Sequence, residues 1–148
     1  DFGWLAELHL GNVDELVALA PLLNRLPTPY LIDHFGRVRG EQGIHSPGFQ
    51  ALLRLLGKDE KCWVKLCSFY RLSSSGPPGY ADMAPLAKSL IAACPDRLVW
   101  GSNWPHPGVE GLMPNDGDLL DQLMAWAPEA ATRRAILSDN PARLFGFD

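Results

Sequence analysis

Four short apolar segments that alternate with amphipathic segments constrain the fold of this chain more than any other feature. We predict buried strands over residues 2–10, 29–33, 62–69 and 97–102. Each segment is rich in large apolar residues and ends at a polar or glycine-containing turn. That pattern is typical of parallel strands that are covered on both faces.

The segments between these strands have the spacing of amphipathic helices. We predict helices over residues 14–23, 48–56, 80–94, 116–127 and 128–137, and a last short helix over 139–144. Asn12 or Asp14 is a candidate cap for the first helix, and Ser46-Pro47 is a typical opening of the second. Alternation of strands and helices predicts right-handed βαβ units, and therefore an α/β fold with a parallel sheet.

Composition excludes several classes of protein. The chain has 148 residues and a net charge of −4, which provides no basic surface for nucleic acid. It contains no apolar run of the roughly eighteen residues that a membrane span needs, so we expect no membrane association. The three cysteines form no CxxC pair and fit neither a disulfide framework nor a zinc knuckle. Reduced thiols of this kind favour a cytoplasmic location.

Polar residues with reactive side chains follow the predicted strands rather than precede them. His34, Arg71, Asn103 and His106 all lie at or just beyond strand ends. In parallel α/β proteins, functional residues lie on loops at the carboxyl ends of the strands. We therefore expect these four side chains to converge on one rim of the sheet.

His34 and Arg71 have chemistry that suits a binding or catalytic rim. An imidazole can act as a metal ligand, a general base or an electrophile that polarises a carbonyl. The alternative is that His34 only caps the strand by hydrogen bonding. Asp33 precedes it, and adjacent strand residues point to opposite faces, so we do not expect Asp33 to orient the ring. The Arg71 guanidinium can bind a carboxylate in bidentate fashion, or it can form an ordinary surface ion pair.

The segment 100–107 (WGSNWPHP) combines two tryptophans, two prolines and a glycine in a stiff turn. Asn103 can orient a water molecule or hold a carbonyl, but its amide cannot take a proton at neutral pH. His106 can contact a ligand or can fill the turn beneath the tryptophan rings, and the two readings are equally supported. His9 and His45 receive little functional weight.

Four motifs in order resemble those of one enzyme family. Residues 30–37 (YLIDHFGR), 63–66 with 70–73 (WVKL and YRLS), 97–106 (RLVWGSNWPH) and 139–147 (DNPARLFGF) resemble strands six, seven and eight and the C-terminal helix of the amidohydrolase-related TIM-barrel hydrolases. The resemblance is strongest to the 2-pyrone-4,6-dicarboxylate lactonase branch. It implies that residues 1–148 form a single partial domain, the C-terminal half of a (β/α)8 barrel with about strands 5–8.

The resemblance also implies roles for individual residues. His34 would polarise the substrate carbonyl or bind a metal, and Arg71 would hold a substrate carboxylate, with His106 as a further contact. Asn103 stands where the family usually has an acid, so it keeps the shape of that group but lacks its basicity. The family's His-x-His pair would lie before Asp1.

These residues imply a hydrolase that opens a lactone, or a related ester or amide bond, in a small carboxylate-bearing substrate. The activity would belong to a full-length barrel, with a divalent metal, zinc or manganese, as a candidate cofactor. The alternative is a truncated or degenerate paralogue without turnover. Such a half-barrel would bind small anions or associate with itself through its open sheet edges.

Overall fold

A computed structural model of the chain describes residues 3–147, and its sheet confirms the predicted topology. The four strands are β1 (Ala6–Leu8), β2 (Tyr30–Ile32), β3 (Cys62–Leu66) and β4 (Leu98–Trp100). They are all parallel and lie in chain order. The fold is therefore α/β, as the alternating pattern predicts.

The strands are shorter than predicted. Paired residues follow the registers Ala6–Tyr30, Tyr30–Cys62 and Val64–Leu98. Beyond these ladders the backbone turns to form the loops of the rim, so residues such as Asp33 lie outside the strands. Residue 2, which the first predicted strand includes, lies outside the described residues.

Six α-helices follow the predicted segments with shifted ends. They are α1 (Glu15–Leu23), α2 (Pro47–Lys58), α3 (Ala84–Ala93), α4 (Asp116–Trp126), α5 (Ala130–Arg134) and α6 (Asn140–Phe145). The predicted start of α3 at residue 80 is wrong, because residues 80–83 form a turn. A turn of π-helix, Ala135–Asp139, joins α5 to α6. Within residues 3–147, no helix has the length and apolarity to cross a bilayer.

The two faces of the sheet have different partners. Tyr30, Ile32, Val64 and Leu98 point towards the helices and belong to the main buried cluster. Successive strand residues alternate between faces. Leu31, Trp63 and Val99 accordingly form a second, smaller cluster on the opposite face.

Helix α6 covers that second face near the amino-terminal ends of the strands. Leu144 packs against its cluster, and the Arg143 guanidinium lies 5.0 Å above the centre of the Trp63 ring. Asn140, which is buried, donates hydrogen bonds to the carbonyl oxygens of Pro95 and Leu98. The C-terminal segment thereby closes the amino-terminal end of the strands and leaves the carboxyl rim accessible.

Candidate functional site

Three of the predicted site residues share an unusual backbone conformation. His34, Asn103 and His106 have φ angles of 52°, 72° and 58°, in the left-handed region that side chains other than glycine rarely adopt. Each lies in a turn after a strand end. Residues held in such conformations cluster at active sites and ligand clamps. The backbone therefore points independently to the rim that the sequence predicts.

His34 and Asn103 meet although 69 positions separate them in the chain. The His34 Nε2 atom lies 3.1 Å from Asn103 Oδ1, an oxygen that can only accept, so Nε2 donates. The predicted convergence of these two side chains is thus observed. Their chemical roles stay predictions.

Asp33 lies beside His34, contrary to the expectation that it points away. Its Oδ2 atom is 2.8 Å from His34 Nδ1, because the left-handed turn at His34 ends the alternation of the strand. The two atoms do not meet in hydrogen-bond geometry, so the buried Nδ1 atom has no hydrogen-bond partner among the described residues.

Lys65 completes the electrostatic surroundings of Asp33. Its Nζ atom lies 3.2 Å from Asp33 Oδ1 and 2.7 Å from Glu7 Oε1. Burial alone would raise the pKa of Asp33, but His34 and Lys65 outweigh it and lower that pKa to about 2. Asp33 is therefore ionised at neutral pH and is a weak proton acceptor.

Tyr70 is part of the site, although the sequence indicates only a packing role. Its hydroxyl oxygen accepts a hydrogen bond of 2.8 Å from Asn103 Nδ2 and lies 3.0 Å from His106 Nδ1. The other ring nitrogen of His106, Nε2, lies 3.1 Å from Asp116 Oδ1. Sequence spacing carries no signal for these contacts, which join the loop after β3, the loop after β4 and the first residue of α4.

His106 is 4% exposed, and both of its ring nitrogens have partners inside the protein. Direct contact with a substrate would break one of these hydrogen bonds. The substrate-binding role predicted for His106 therefore stays a prediction, and the geometry favours an indirect contribution through Tyr70.

Arg71 lies beside two further arginines that the sequence analysis did not select. Arg37, Arg39 and Arg71 line a cavity of about 370 Å³ at the rim, together with Asn12, Gln42 and one carboxylate, Glu41. The Arg71 Nη1 atom donates to the Pro107 carbonyl oxygen at 3.0 Å, which ties it to the loop after β4. Arg37 and Arg39 alternate just after His34, and that spacing could have identified them. Three guanidinium groups make this cavity suitable for carboxylates.

The serine-rich loop after Arg71 is organised by one carboxylate. Asp82 accepts hydrogen bonds from the hydroxyls of Ser73, Ser74 and Ser75 and from the Ser74 amide. Although partial burial acts to raise the pKa of Asp82, these donors lower it well below its ordinary value. Gly40 allows the close approach, since a Cβ atom there would lie 2.0 Å from Asp82 Oδ2.

His9, Asp33 and His34 form a group with the donor atoms that a divalent metal requires. One ligand atom from each lies within 4.8 Å of the others, and the two imidazole rings are 4.7 Å apart. Two nitrogens and one carboxylate oxygen match a three-residue zinc set. The His34 Nδ1 atom makes no hydrogen bond and lies 2.8 Å from Asp33 Oδ2, so it can act as a ligand when it carries no proton. His9 was missed because a lone histidine in an apolar strand carries little information.

The cysteines are free thiols, and burial makes two of them unreactive. Cys62 and Cys67 are buried, and Cys94 is half-buried. Burial raises the pKa of Cys62 to about 12 and also raises that of Cys67. Thiolate chemistry at these two positions is therefore disfavoured at neutral pH.

Sequence comparison matches the chain to known proteins along nearly its whole length. A family model described as Amidohydrolase matches residues 1–147. A 4-sulfomuconolactone hydrolase from Hydrogenophaga intermedia is 43% identical over 99% of this chain and 48% of that protein. A D-galactarolactone isomerase from Agrobacterium fabrum is 33% identical over 91% of this chain and 45% of that protein.

Solved structures agree with the sequence matches. A protein from Acinetobacter baumannii, named for 2-pyrone-4,6-dicarboxylic acid hydrolase activity and crystallised with citric acid, superposes with a TM-score of 0.82. It is 33% identical, and the match covers 98% of this chain and 53% of that one. The chain spans about half the length of the curated relatives it matches. The four strands therefore correspond to half of an amidohydrolase TIM barrel, as the motifs predict.

Proposed function

Since this chain belongs to the amidohydrolase family, we propose that the intact protein hydrolyses a lactone, or a related ester or amide bond, in a small substrate that carries carboxylate groups. The arginine-lined cavity is the observation that carries this proposal. It provides an anion-binding surface, and one of its arginines, Arg37, lies in the same short turn as His34, a group that can polarise a carbonyl. The relative named 4-sulfomuconolactone hydrolase supports this reaction class, whereas the relative named D-galactarolactone isomerase supports only a lactone as the substrate.

The reaction needs a polarised carbonyl, an attacking water and a route for one proton. In our proposal the His34 Nε2–H group, which donates to Asn103 Oδ1 in the absence of substrate, donates instead to the substrate carbonyl oxygen once the substrate is bound. Water adds to the carbonyl carbon, the C–O bond of the ring breaks, and the ring oxygen leaves with a proton. Asn103 positions the water but cannot accept its proton, so the proton passes to another group of the intact protein.

Arg71, Arg37 and Arg39 would hold the substrate carboxylates. A guanidinium binds a carboxylate through two parallel hydrogen bonds, which fixes both position and orientation. That orientation would place the scissile carbonyl next to His34 rather than in solvent. Small anionic lactones are therefore the substrates that we expect.

A divalent metal, when bound, would be held by His9, Asp33 and His34 and would supply Lewis-acid polarisation or activation of water. Zinc and manganese both accept such a donor set. Lys65 would oppose a second positive charge at Asp33, since it already pairs with that carboxylate. The residues themselves orient the substrate with or without the ion.

The direct test is hydrolysis of a panel of lactones and esters by the intact protein, with and without a chelator. The panel contains dicarboxylate lactones, monocarboxylate lactones and uncharged lactones of similar size. We expect turnover that rises with the number of carboxylates and is lost in His34→Ala. Equal rates for charged and uncharged substrates would contradict the proposed role of the cavity.

Asn103 favours a second candidate, a binding protein without turnover, because an amide has replaced the expected acid. Such a protein would keep the arginine cavity and His34 and would bind carboxylates through them. Calorimetric binding of a dicarboxylate lactone that is never consumed would favour this candidate over the hydrolase.

A further inference from the structure

The hydrogen bonds around Asn103 belong to one unbroken chain across the rim. It runs from His34 through Asn103, Tyr70 and His106 to Asp116, with four donor–acceptor distances between 2.8 and 3.1 Å. Asp116 is the first residue of α4, far from the motifs discussed above. Each member contacts the next through a single pair of polar atoms.

The Asp116 carboxylate at one end of the chain sets one direction for the hydrogen bonds, while Asp33 at the other end lies 2.8 Å from His34 Nδ1 and favours a proton on that atom. Asp116 can only accept, so His106 Nε2 carries a proton. In a neutral ring Nδ1 is then an acceptor, and the Tyr70 hydroxyl donates to it. The Tyr70 oxygen remains available to accept from Asn103 Nδ2, which leaves Asn103 Oδ1 facing His34.

The opposite orientation of the Asn103 amide would need different protons at both ends. With Oδ1 turned to Tyr70, the tyrosine would donate to Asn103, and His106 would need a proton on Nδ1 as well as on Nε2. The Asn103 NH2 group would then face His34 Nε2, which would have to be bare. Because Asp33 favours a proton on His34 Nδ1, the first orientation places two protons on the His34 ring and the opposite orientation places two on the His106 ring. A proton on His106 Nδ1 therefore distinguishes the two orientations of Asn103.

We propose that His106 and Asp116 are positioning residues that fix the Asn103 amide through Tyr70 and so keep His34 as an Nε2–H donor. The proposal extends the function proposed above, since it concerns the group that would polarise the substrate carbonyl. His106 is buried, so it acts from beneath the rim, while the Asp116 side chain is 50% exposed. Neither residue needs to touch the substrate.

The first test measures the ring of His106 and needs no substrate. Long-range 1H–15N correlation spectra of the intact protein, labelled with 15N-histidine, report which ring nitrogens carry protons. The His106 signals are assigned by their loss in His106→Gln. We expect a proton on Nε2 and a bare Nδ1; a proton on Nδ1 overturns the proposal. Because this result is independent of turnover, it separates a failure of the proposal from a failure of the proposed function.

The second test compares two substitutions of Asp116 with a matched control. Asp116→Ala removes the acceptor, and we expect kcat to fall about tenfold or more with KM changed by less than about twofold. Asp116→Asn retains an oxygen acceptor for a neutral His106, so kcat should return to within about threefold of the original value. Asp121→Ala removes an exposed carboxylate from the next turn of α4 and should leave both constants unchanged.

Two outcomes would overturn the assignment. If Asp116→Ala leaves kcat unchanged, His106 and Asp116 position no group that the reaction needs. If Asp116→Asn is as slow as Asp116→Ala, the charge rather than the acceptor is required, and His106 is not the neutral Nε2–H form. A structural role alone would lower the melting temperature of Asp116→Ala without the selective loss of kcat.

Discussion

Left-handed backbone at His34, Asn103 and His106 costs conformational energy, and the packing around the rim has to stabilise it. These turns bring side chains that follow different strands into one hydrogen-bonded group. Glycine would relieve the strain but would remove the side chain. At the scale of the residue, the site is therefore a compromise between backbone strain and the positions of functional atoms.

Arg71 provides the first residue-scale prediction. Arg71→Met should raise KM for carboxylate-bearing lactones about tenfold, since a hydrogen bond to a charged group is worth about 1.5 kcal/mol. KM for uncharged lactones should hardly change. Steady-state kinetics of the intact protein measure both. Arg54→Met, on the exposed side of α2, is the control and should change neither; equal losses on the two substrate classes would show that Arg71 is structural.

Asn103→Asp provides the second residue-scale prediction. A carboxylate here can accept a proton from water, and general-base catalysis typically contributes about 10²–10⁴-fold, so kcat should rise. The gain should disappear at acidic pH as the new carboxyl group becomes protonated. A pH–rate profile of the variant measures this. An unchanged or lower kcat would mean that another group already serves as the base and that Asn103 only orients.

At the scale of elements, Asp82 links the loop after β3 to the turn at Gly40. Asp82→Asn removes the charge that orders Ser73–Ser75, and we expect a loss of about 1 kcal/mol in unfolding free energy, reduced by solvent exposure. Amide hydrogen exchange at Ser74 should accelerate, while exchange in α1 stays constant. Unchanged protection of Ser74 would show that the loop does not depend on this carboxylate.

The stabilisation that the Asp82 carboxylate gives to the Ser73–Ser75 loop depends on pH in one direction. Because the pKa of Asp82 is lowered on folding, its stabilisation is complete above the ordinary value of 3.8 and is lost as the pH falls through the lower folded value. Hydrogen exchange at Ser74 should therefore show no pH-dependent opening between pH 5 and 7, roughly the range in which the carboxylate stays ionised. Opening within that range would contradict the account.

The strands and helices could be predicted, because the spacing of apolar residues along the chain differs between the two kinds of element. Tyr30–Ile32 and Leu98–Trp100 lie inside predicted strands, and their burial against helices is what the pattern records. The contacts of Tyr70 could not be predicted, because they join loops whose relative position depends on the whole sheet. The contacts of Asp82 and Asp116 are closer in the chain, but they depend on loop conformations that apolar periodicity does not predict. Asp33 was misplaced because strand alternation was assumed to continue into a left-handed turn.

At the scale of the whole molecule, the sheet within residues 3–147 has β1 and β4 as edge strands. Unpaired strand edges favour association. The face of the sheet that carries the Leu31–Trp63–Val99 cluster also carries the charged groups Glu7 and Lys65. Expressed alone, the chain should therefore associate with itself in a concentration-dependent manner.

Sedimentation velocity over a wide range of concentrations measures this association. We expect the average mass of the chain to rise with concentration. An isolated chain that stays monomeric and unfolds cooperatively would contradict the prediction. It would also show that the half-barrel forms a stable unit without partners for its edges.

The central claim is that this rim directs water to a lactone carbonyl, and hydrolysis in ¹⁸O-labelled water tests it most directly. The intact protein is incubated with a dicarboxylate lactone, and the product is analysed by mass spectrometry. The account predicts one ¹⁸O atom in the newly formed carboxylate, at a rate that His34→Ala abolishes. Conversion without ¹⁸O, as an isomerase would give, or no dependence on His34 would contradict it.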